Sequence, residues 1–266
     1  MNPSNFIPQT FNNEILSGKI TWQAPSNIAL VKYWGKKEDQ IPANPSISFT
    51  LDTSRTTTAL EYSKKEQSGR EVDFDLYFEG KPKEDFKPKI ATFFKRILEY
   101  CPYLLDYKLV INTENSFPHS SGIASSASGM SALALCVMSL EKELDPEMTE
   151  DHFRKKASFL ARLGSGSACR SISGNLVVWG THKNIENSSD FYGVAYPGEV
   201  HPVFKNFQDT ILLVDKGTKQ VSSSVGHNLM HGHPFAEARF TQAHSNLDAL
   251  KKIFETGDLN AFIEIV

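Results

Sequence analysis

The sequence predicts an α+β protein, and three observations carry that expectation. Stretches rich in β-branched residues with alternating polarity fill the first third of the chain. Runs with helical apolar spacing follow them. Strands fall before and between helices, without a regular βαβ alternation. With 266 residues, the chain can form one large domain or two moderate ones.

Taken in order, KITWQAP and SNIALVKYW read as strand, turn and strand. SISFTLDTSRTTTALEYS alternates and is β-branched, so it forms one or two antiparallel strands, and VDFDLYFEGK adds another that ends in a Gly turn. FKPKIATFFKRILEYC places Ile90, Phe93, Phe94, Ile97 and Leu98 at helical spacing, which makes it an amphipathic helix. YKLVINTEN is the next strand. The apolar run after Gly129 is a helix to about Leu140. MTEDHFRKKASFLARLG is a second helix, with Thr149 and Asp151 as caps and Gly164 as its stop. GNLVVWG is a short strand, and residues 182–198 turn polar and Gly-containing, which marks a boundary between residues 1–185 and 186–266. DTILLVD is a strand, KGTKQVSSSVG a loop, and two helical stretches complete the sequence. The last of them, DLNAFIEIV, has no Gly, Asn or Pro to end it, and reads as cut short.

The totals exclude several roles. A net charge of -3 gives no electrostatic reason for a nucleic-acid surface. Three scattered cysteines argue against a disulfide scaffold and suit a reducing compartment. No apolar run is long enough to span a membrane, and residues 1–19 lack the pattern of a signal peptide. A soluble, cytoplasmic protein is expected.

Two loops carry chemistry. In FPHSSGIASSASG, Ser and Gly feed a helix start, where converging backbone N–H groups and the helix dipole favour phosphate. Tight packing of small residues at a helix end is the alternative, and the GxxxxGK[ST] and GxGxxG signatures are absent. GSGSACRSISG repeats the small donors and adds Arg170, a side chain suited to bidentate contact with a carboxylate or phosphate. The alternative there is a turn with a solvated Arg. Lys32, Lys36 and Lys37, around Tyr33 and Trp34, form a third cluster able to hold an anion.

Together, APSNIALVKYWGKK, NPSISFTLD, NSFPHSSGIASSASG and GSGSACRSISG closely resemble the mevalonate diphosphate decarboxylases of the GHMP kinase superfamily. The later VSSSVGHNLM resembles that family less closely. The resemblance implies a ribosomal-protein-S5-like N-terminal domain, a ferredoxin-like C-terminal domain (here truncated) and an active site between them. It also implies ATP-dependent decarboxylation of mevalonate 5-diphosphate to isopentenyl diphosphate, with Mg²⁺ and, in related enzymes, a homodimer. On the same ground Ser120, Ser121, Gly122, Ser125 and Ser126 would bind ATP, with Ser125 or Ser126 near Mg²⁺. Lys32 would stabilise the transferring phosphoryl group. Tyr33, Lys36, Ser165, Gly166 and Ser167 would contact the substrate, chiefly its diphosphate. Arg170 would hold the carboxylate, and Asn27 would fix Arg170 or the substrate.

The chain departs from the family in two places. His119, Ser120, Ser121 and Ile123 stand where Thr-Ala-Ala and Leu are common, although Gly122 is kept. The family's Asp-Ala-Gly-Pro segment has no match in residues 200–266, and Asp215 lies in surroundings that align with an earlier segment, so no general base is assigned. Two alternatives follow: a sister kinase acting on mevalonate or its monophosphate without decarboxylation, and a non-catalytic ligand-binding form. His227, His231 and His233 read as solvated histidines near a domain-closing loop, since no carboxylate joins them in helical register. Cys169 reads as a small packing residue.

Overall fold

The computed structural model describes residues 2–11, 13–118, 122–210, 212, 226 and 228–266. Its frame is a seven-stranded sheet. Strand β1 (Ser17–Val31) pairs antiparallel with β2 (Ser46–Lys64) along most of its length. The opposite edge of β2 is shared. Residues 56–64 pair with β5 (Tyr107–Asn115), which leads on to β3 (Asp73–Phe78) and β4 (Lys81–Pro82), whereas residues 46–49 pair with β6 (Leu176–Trp179), followed by β7 (Val194–Ala195). Among the described residues, only the β3–β5 pairing is parallel.

The expected strand–turn–strand over KITWQAP and SNIALVKYW is one continuous strand instead. Pro25 and Asn27 signal a turn in sequence, but the ladder absorbs them as a register shift, with Pro25 opposite Arg55 and Asn27 opposite Thr50. In β2, Thr56, Thr58, Leu60 and Tyr62 alternate as buried residues, as a half-buried strand requires.

Helices α1 (Lys87–Ile97), α2 (Ser125–Leu144) and α3 (Glu150–Gly164) supply most of the main core. Phe93, Phe94 and Ile97 are the buried stripe of α1. The expected α2 is corrected at both ends: it begins at Ser125, not after Gly129, and runs to Leu144. Ser and Gly are poor helix formers, yet burial of Ala127 and Ser128 in the core outweighs propensity. At α3 the Thr149 hydroxyl caps His152 N–H at 3.2 Å.

A second apolar cluster joins Val31, Ile47 and Val178 of the sheet to Leu247 and Leu250 of helix α4 (Ala236–Thr256), which is followed by α5 (Leu259–Ile265). The strand DTILLVD and the loop KGTKQVSSSVG fall largely outside the described residues. Among those described, no helix is long and apolar enough to cross a membrane.

Candidate active site

The period of a strand explains how this site is built. Ile47 points to the α4 cluster, so its neighbours Ser46 and Ser48 point to the opposite face. Their cross-strand partners, Trp179 and Val177, share that face. A single 3-10 turn, Gly166–Ser171, crosses it directly after α3 and delivers Arg170.

Arg170 is only 3% exposed, which rules out the alternative of a solvated side chain. One terminal nitrogen donates to Ser46 Oγ at 2.7 Å and the other approaches Asn27 Oδ1 at 3.4 Å. Its guanidinium carbon lies 5.5 Å from the Tyr33 ring centre and 5.7 Å from that of Trp179, and these two rings meet edge-on. Among the described residues no carboxylate forms an ion pair with Arg170, and its buried Nε has no hydrogen-bond partner. Burial therefore pulls the guanidinium below its ordinary pKa. Nearby, Ser48 Oγ is also buried and unpartnered. A buried, rigidly held cation with an unused donor is suited to receive an anion.

Asn27 holds this receptor in place. Its amide donates to Ser171 Oγ at 2.8 Å and to the Ser167 carbonyl at 3.1 Å, which leaves Oδ1 facing Arg170. Gly166 is needed for its missing side chain: a Cβ there would lie 2.9 Å from the Trp179 ring and 3.3 Å from the Tyr33 hydroxyl. Tyr33 itself is pushed up to about 12 by burial, with Arg170 opposing the shift, so it stays a neutral hydroxyl donor.

The two small-residue loops meet. Ser126 Oγ and Ser165 Oγ are 3.4 Å apart, and Ser131 Oγ donates to the Ala168 carbonyl at 2.8 Å, tying α2 to the Arg170 turn. Ser125 and Ser126 open the first turn of α2, directly after Ala124, whose φ of 47° is left-handed. Such a conformation costs about 1–2 kcal/mol for a non-glycine residue, and strain of this kind gathers at functional sites. The Ser26 hydroxyl donates to the Ile123 carbonyl and pins the turn. Gly122 is exposed with φ of 88°, while Ser120 and Ser121 lie outside the described residues.

Beside this helix start is a largely apolar cavity of ≈ 200 Å³, lined by Ser125, Ser126, Met130, Thr113, Phe86 and Lys89 among others. A wider cleft of ≈ 660 Å³ lies between Lys36, Lys37, Arg96, Asn228 and His231, with Glu38, Asp39 and Gln40 on its wall. Burial lowers the pKa of Lys36, and the positive charges of Arg96 and Lys89 add to the effect. Lys32 is exposed at the end of the β1 segment.

Sequence reasoning missed Ser46, Ser48 and Trp179 as parts of the receptor, and Lys89 and Arg96 as neighbouring cations. Ser46 and Ser48 left a signal, since two serines alternate there with apolar residues in a strand that reads as buried. The histidine segment forms a turn, with His231 N–H donating to the Asn228 carbonyl at 3.1 Å, and His227 lies outside the described residues. Among the described residues no group of three or more metal-ligating side chains occurs. Cys169 is fully buried and its thiol is raised to about 12 by burial. It should accordingly resist iodoacetamide at pH 8 in the folded protein and react once urea unfolds it, which peptide mass spectrometry would report.

Residues 24–190 match the model of the diphosphomevalonate decarboxylase-like N-terminal domain. The chain belongs to the diphosphomevalonate decarboxylase family. It is 30% identical over 265 residues to the diphosphomevalonate decarboxylase of Ganoderma lucidum, covering 93% of this chain and 62% of that relative. The mevalonate diphosphate decarboxylase of Staphylococcus aureus superposes with a TM-score of 0.71 at 28% identity, covering 94% of this chain and 70% of that one. MDDEF, in complex with MVAPP, AMPPCP and magnesium, superposes at 0.70 with 27% identity, covering 94% and 71%. The chain thus spans somewhat under two thirds of its Ganoderma relative's length.

Proposed function

We propose that this chain carries the nucleotide and substrate loops of an ATP-dependent decarboxylase acting on mevalonate 5-diphosphate. The observation that carries this reading is the buried Arg170 with no counter-ion among the described residues, 5.5 Å from the Tyr33 ring on a turn that touches the serine-rich helix start. Arg170 would bind the substrate carboxylate, held by Asn27 and Ser46. Tyr33, Lys36 and the segment Ser165, Gly166 and Ser167 would take the diphosphate. The division into residues 1–185 and 186–266 is part of the same proposal.

ATP and Mg²⁺ fit the residues present: serine hydroxyls, a strained turn directly before the α2 N-terminus, and an apolar cavity lined in part by Lys89. When bound, ATP supplies the phosphoryl group that turns the tertiary hydroxyl into a leaving group. Ser125 and Ser126 would hold its phosphates and Mg²⁺, and the Ser126–Ser165 contact would bring them to the substrate loop. Lys32 would neutralise charge on the moving phosphoryl group. As the carboxylate carbon leaves as carbon dioxide, its bonding pair forms the new double bond and phosphate departs. Arg170, walled by two aromatic rings, keeps that carboxylate aligned and away from water.

The test is incubation with ATP, Mg²⁺ and mevalonate 5-diphosphate, following phosphate and carbon dioxide together, alongside binding of mevalonate and its monophosphate as competitors. Equal phosphate and carbon dioxide, or tight binding of the diphosphate alone, is expected. A phosphorylated product without carbon dioxide, or equal affinity for all three, would overturn the reading in favour of a kinase.

Lys36 gives this proposal a pH dependence. Its folded pKa is lowered, and only the charged form attracts a diphosphate. Affinity should therefore be full at neutral pH and fall as pH rises through that lowered pKa, earlier than for an ordinary lysine. Titration calorimetry between pH 7 and 10 should show this fall, and Lys36→Met should flatten it.

A further inference from the structure

Helix α4 reaches the segment that precedes Lys36. The Arg239 guanidinium carbon lies 5.0 Å from the Trp34 ring centre. One residue on, the Phe240 ring occupies the space of an absent side chain: a Cβ on Gly35 would lie 3.1 Å from Phe240 Cζ and 3.2 Å from Ala43 Cβ. The other side of the segment is held by Asn44. Its Oδ1 accepts from Trp34 N–H at 2.9 Å, and its amide donates to the carbonyls of Lys32 and Pro45 at 2.9 and 2.8 Å. Lys36 follows directly and forms a bridge with Pro42.

The helix does not depend on Arg239 for its own place. Leu247 and Leu250 are buried against Val31, Ile47 and Val178. Asp248 accepts from the Asn184 amide at 2.6 Å and lies 3.7 Å from His182 Nε2. Arg239 is exposed and donates to Gln242 Oε1 at 2.7 Å. Its contact with Trp34 is therefore not what seats the helix.

The geometry points to Arg239 as a positioning residue: stacked on Trp34, it sets the orientation in which Tyr33 and Lys36 present themselves to the substrate's diphosphate. This rests on the substrate reading above, deepens it, and places its control on a helix of the second apolar cluster. Because an exposed cation–π contact is weak, removing it should weaken mevalonate 5-diphosphate binding by about threefold to fivefold.

Arg239→Ala, Arg239→Gln and Arg239→Lys test this in the full 266-residue chain. Three quantities are compared: affinity for mevalonate 5-diphosphate, melting temperature, and the rate at which trinitrobenzenesulfonate labels Lys36, mapped by peptide mass spectrometry. Expected are unchanged melting, weaker binding and a labelling rate altered at least about twofold in the Ala and Gln variants, with Lys, which keeps the charge but not the planar group, restoring part of both. Unchanged Lys36 labelling overturns the inference, as does unchanged affinity in a chain that binds the substrate. A loss of affinity that tracks a fall in melting temperature across all three variants overturns it too. Should the unaltered chain fail to bind mevalonate 5-diphosphate, the substrate reading fails, and the labelling alone decides the role of Arg239.

Discussion

Replacing Arg170 with Met is expected to weaken binding of mevalonate 5-diphosphate at least about 30-fold while leaving the melting temperature within about 2 °C of the parent. Functional side chains at buried positions are normally hard to separate from the fold, and here they separate for an electrostatic reason. The guanidinium is buried with two hydrogen bonds, two aromatic faces and no counter-ion among the described residues. A buried charge without a partner disfavours the folded state, so an apolar side chain of similar length removes a penalty along with the contacts. Ser46 Oγ would keep its hydrogen bond to the Trp179 carbonyl, 3.1 Å, and Asn27 those to Ser167 and Ser171. What is lost is the anion's partner. Truncating one side of a buried, hydrogen-bonded charge pair costs about 2–5 kcal/mol in binding. Calorimetry for affinity and scanning calorimetry for melting check both halves.

The opposite pattern is expected at Lys156. Its ammonium lies 2.6 and 2.8 Å from the two oxygens of Glu141, with the side chains 0% and 2% exposed. The pair joins α3 to α2 inside the main core. Glu141 is held above the usual carboxylate range by burial, against the pull of Lys156. Beside it, Cys101 Sγ approaches Glu141 Oε2 at 4.0 Å with its thiol raised to about 12 by burial, and the Tyr103 hydroxyl donates to the Val137 carbonyl at 3.0 Å. The Cys101 thiol and the Tyr103 hydroxyl remain beside a lone carboxylate, but neither carries a positive charge. Lys156→Ala should destabilise the fold by about 3–5 kcal/mol in urea unfolding, because it strands Glu141 in the core. The double variant Lys156→Met with Glu141→Leu should recover most of that loss, since it removes both charges and keeps the volume. Loss of under about 1 kcal/mol in the single variant would mean that water reaches Glu141.

How much of this was legible in the sequence depends on whether the information is local. The alternation of β2 and the Thr149 cap are local, and both are present as read. Arg170, Asn27 and Tyr33 were singled out by their motifs, and the fold brings them together. The misread features are those in which tertiary packing outweighs a local signal. Pro25 and Asn27 look like a turn, yet the long pairing with β2 carries the strand through them and turns Asn27 toward Arg170. Ser125 to Gly129 look too weak for a helix, yet burial extends α2 over them. Trp179 and Ser46 become site residues only through a cross-strand pairing 133 residues apart, which periodicity cannot reveal. Lys156 and Glu141 lie on different helices, so their pairing is equally hidden.

The central claim is that Arg170 is a carboxylate receptor. It is tested most directly by comparing two ligands that share a diphosphate, mevalonate 5-diphosphate and isopentenyl diphosphate, of which only the first has a carboxylate. Their affinities would be measured by titration calorimetry on the unaltered chain and on Arg170→Met. The account predicts that the unaltered chain prefers mevalonate 5-diphosphate at least about tenfold, and that the preference vanishes in the variant. Equal affinity for the two ligands in the unaltered chain, or a preference that survives in Arg170→Met, would contradict it.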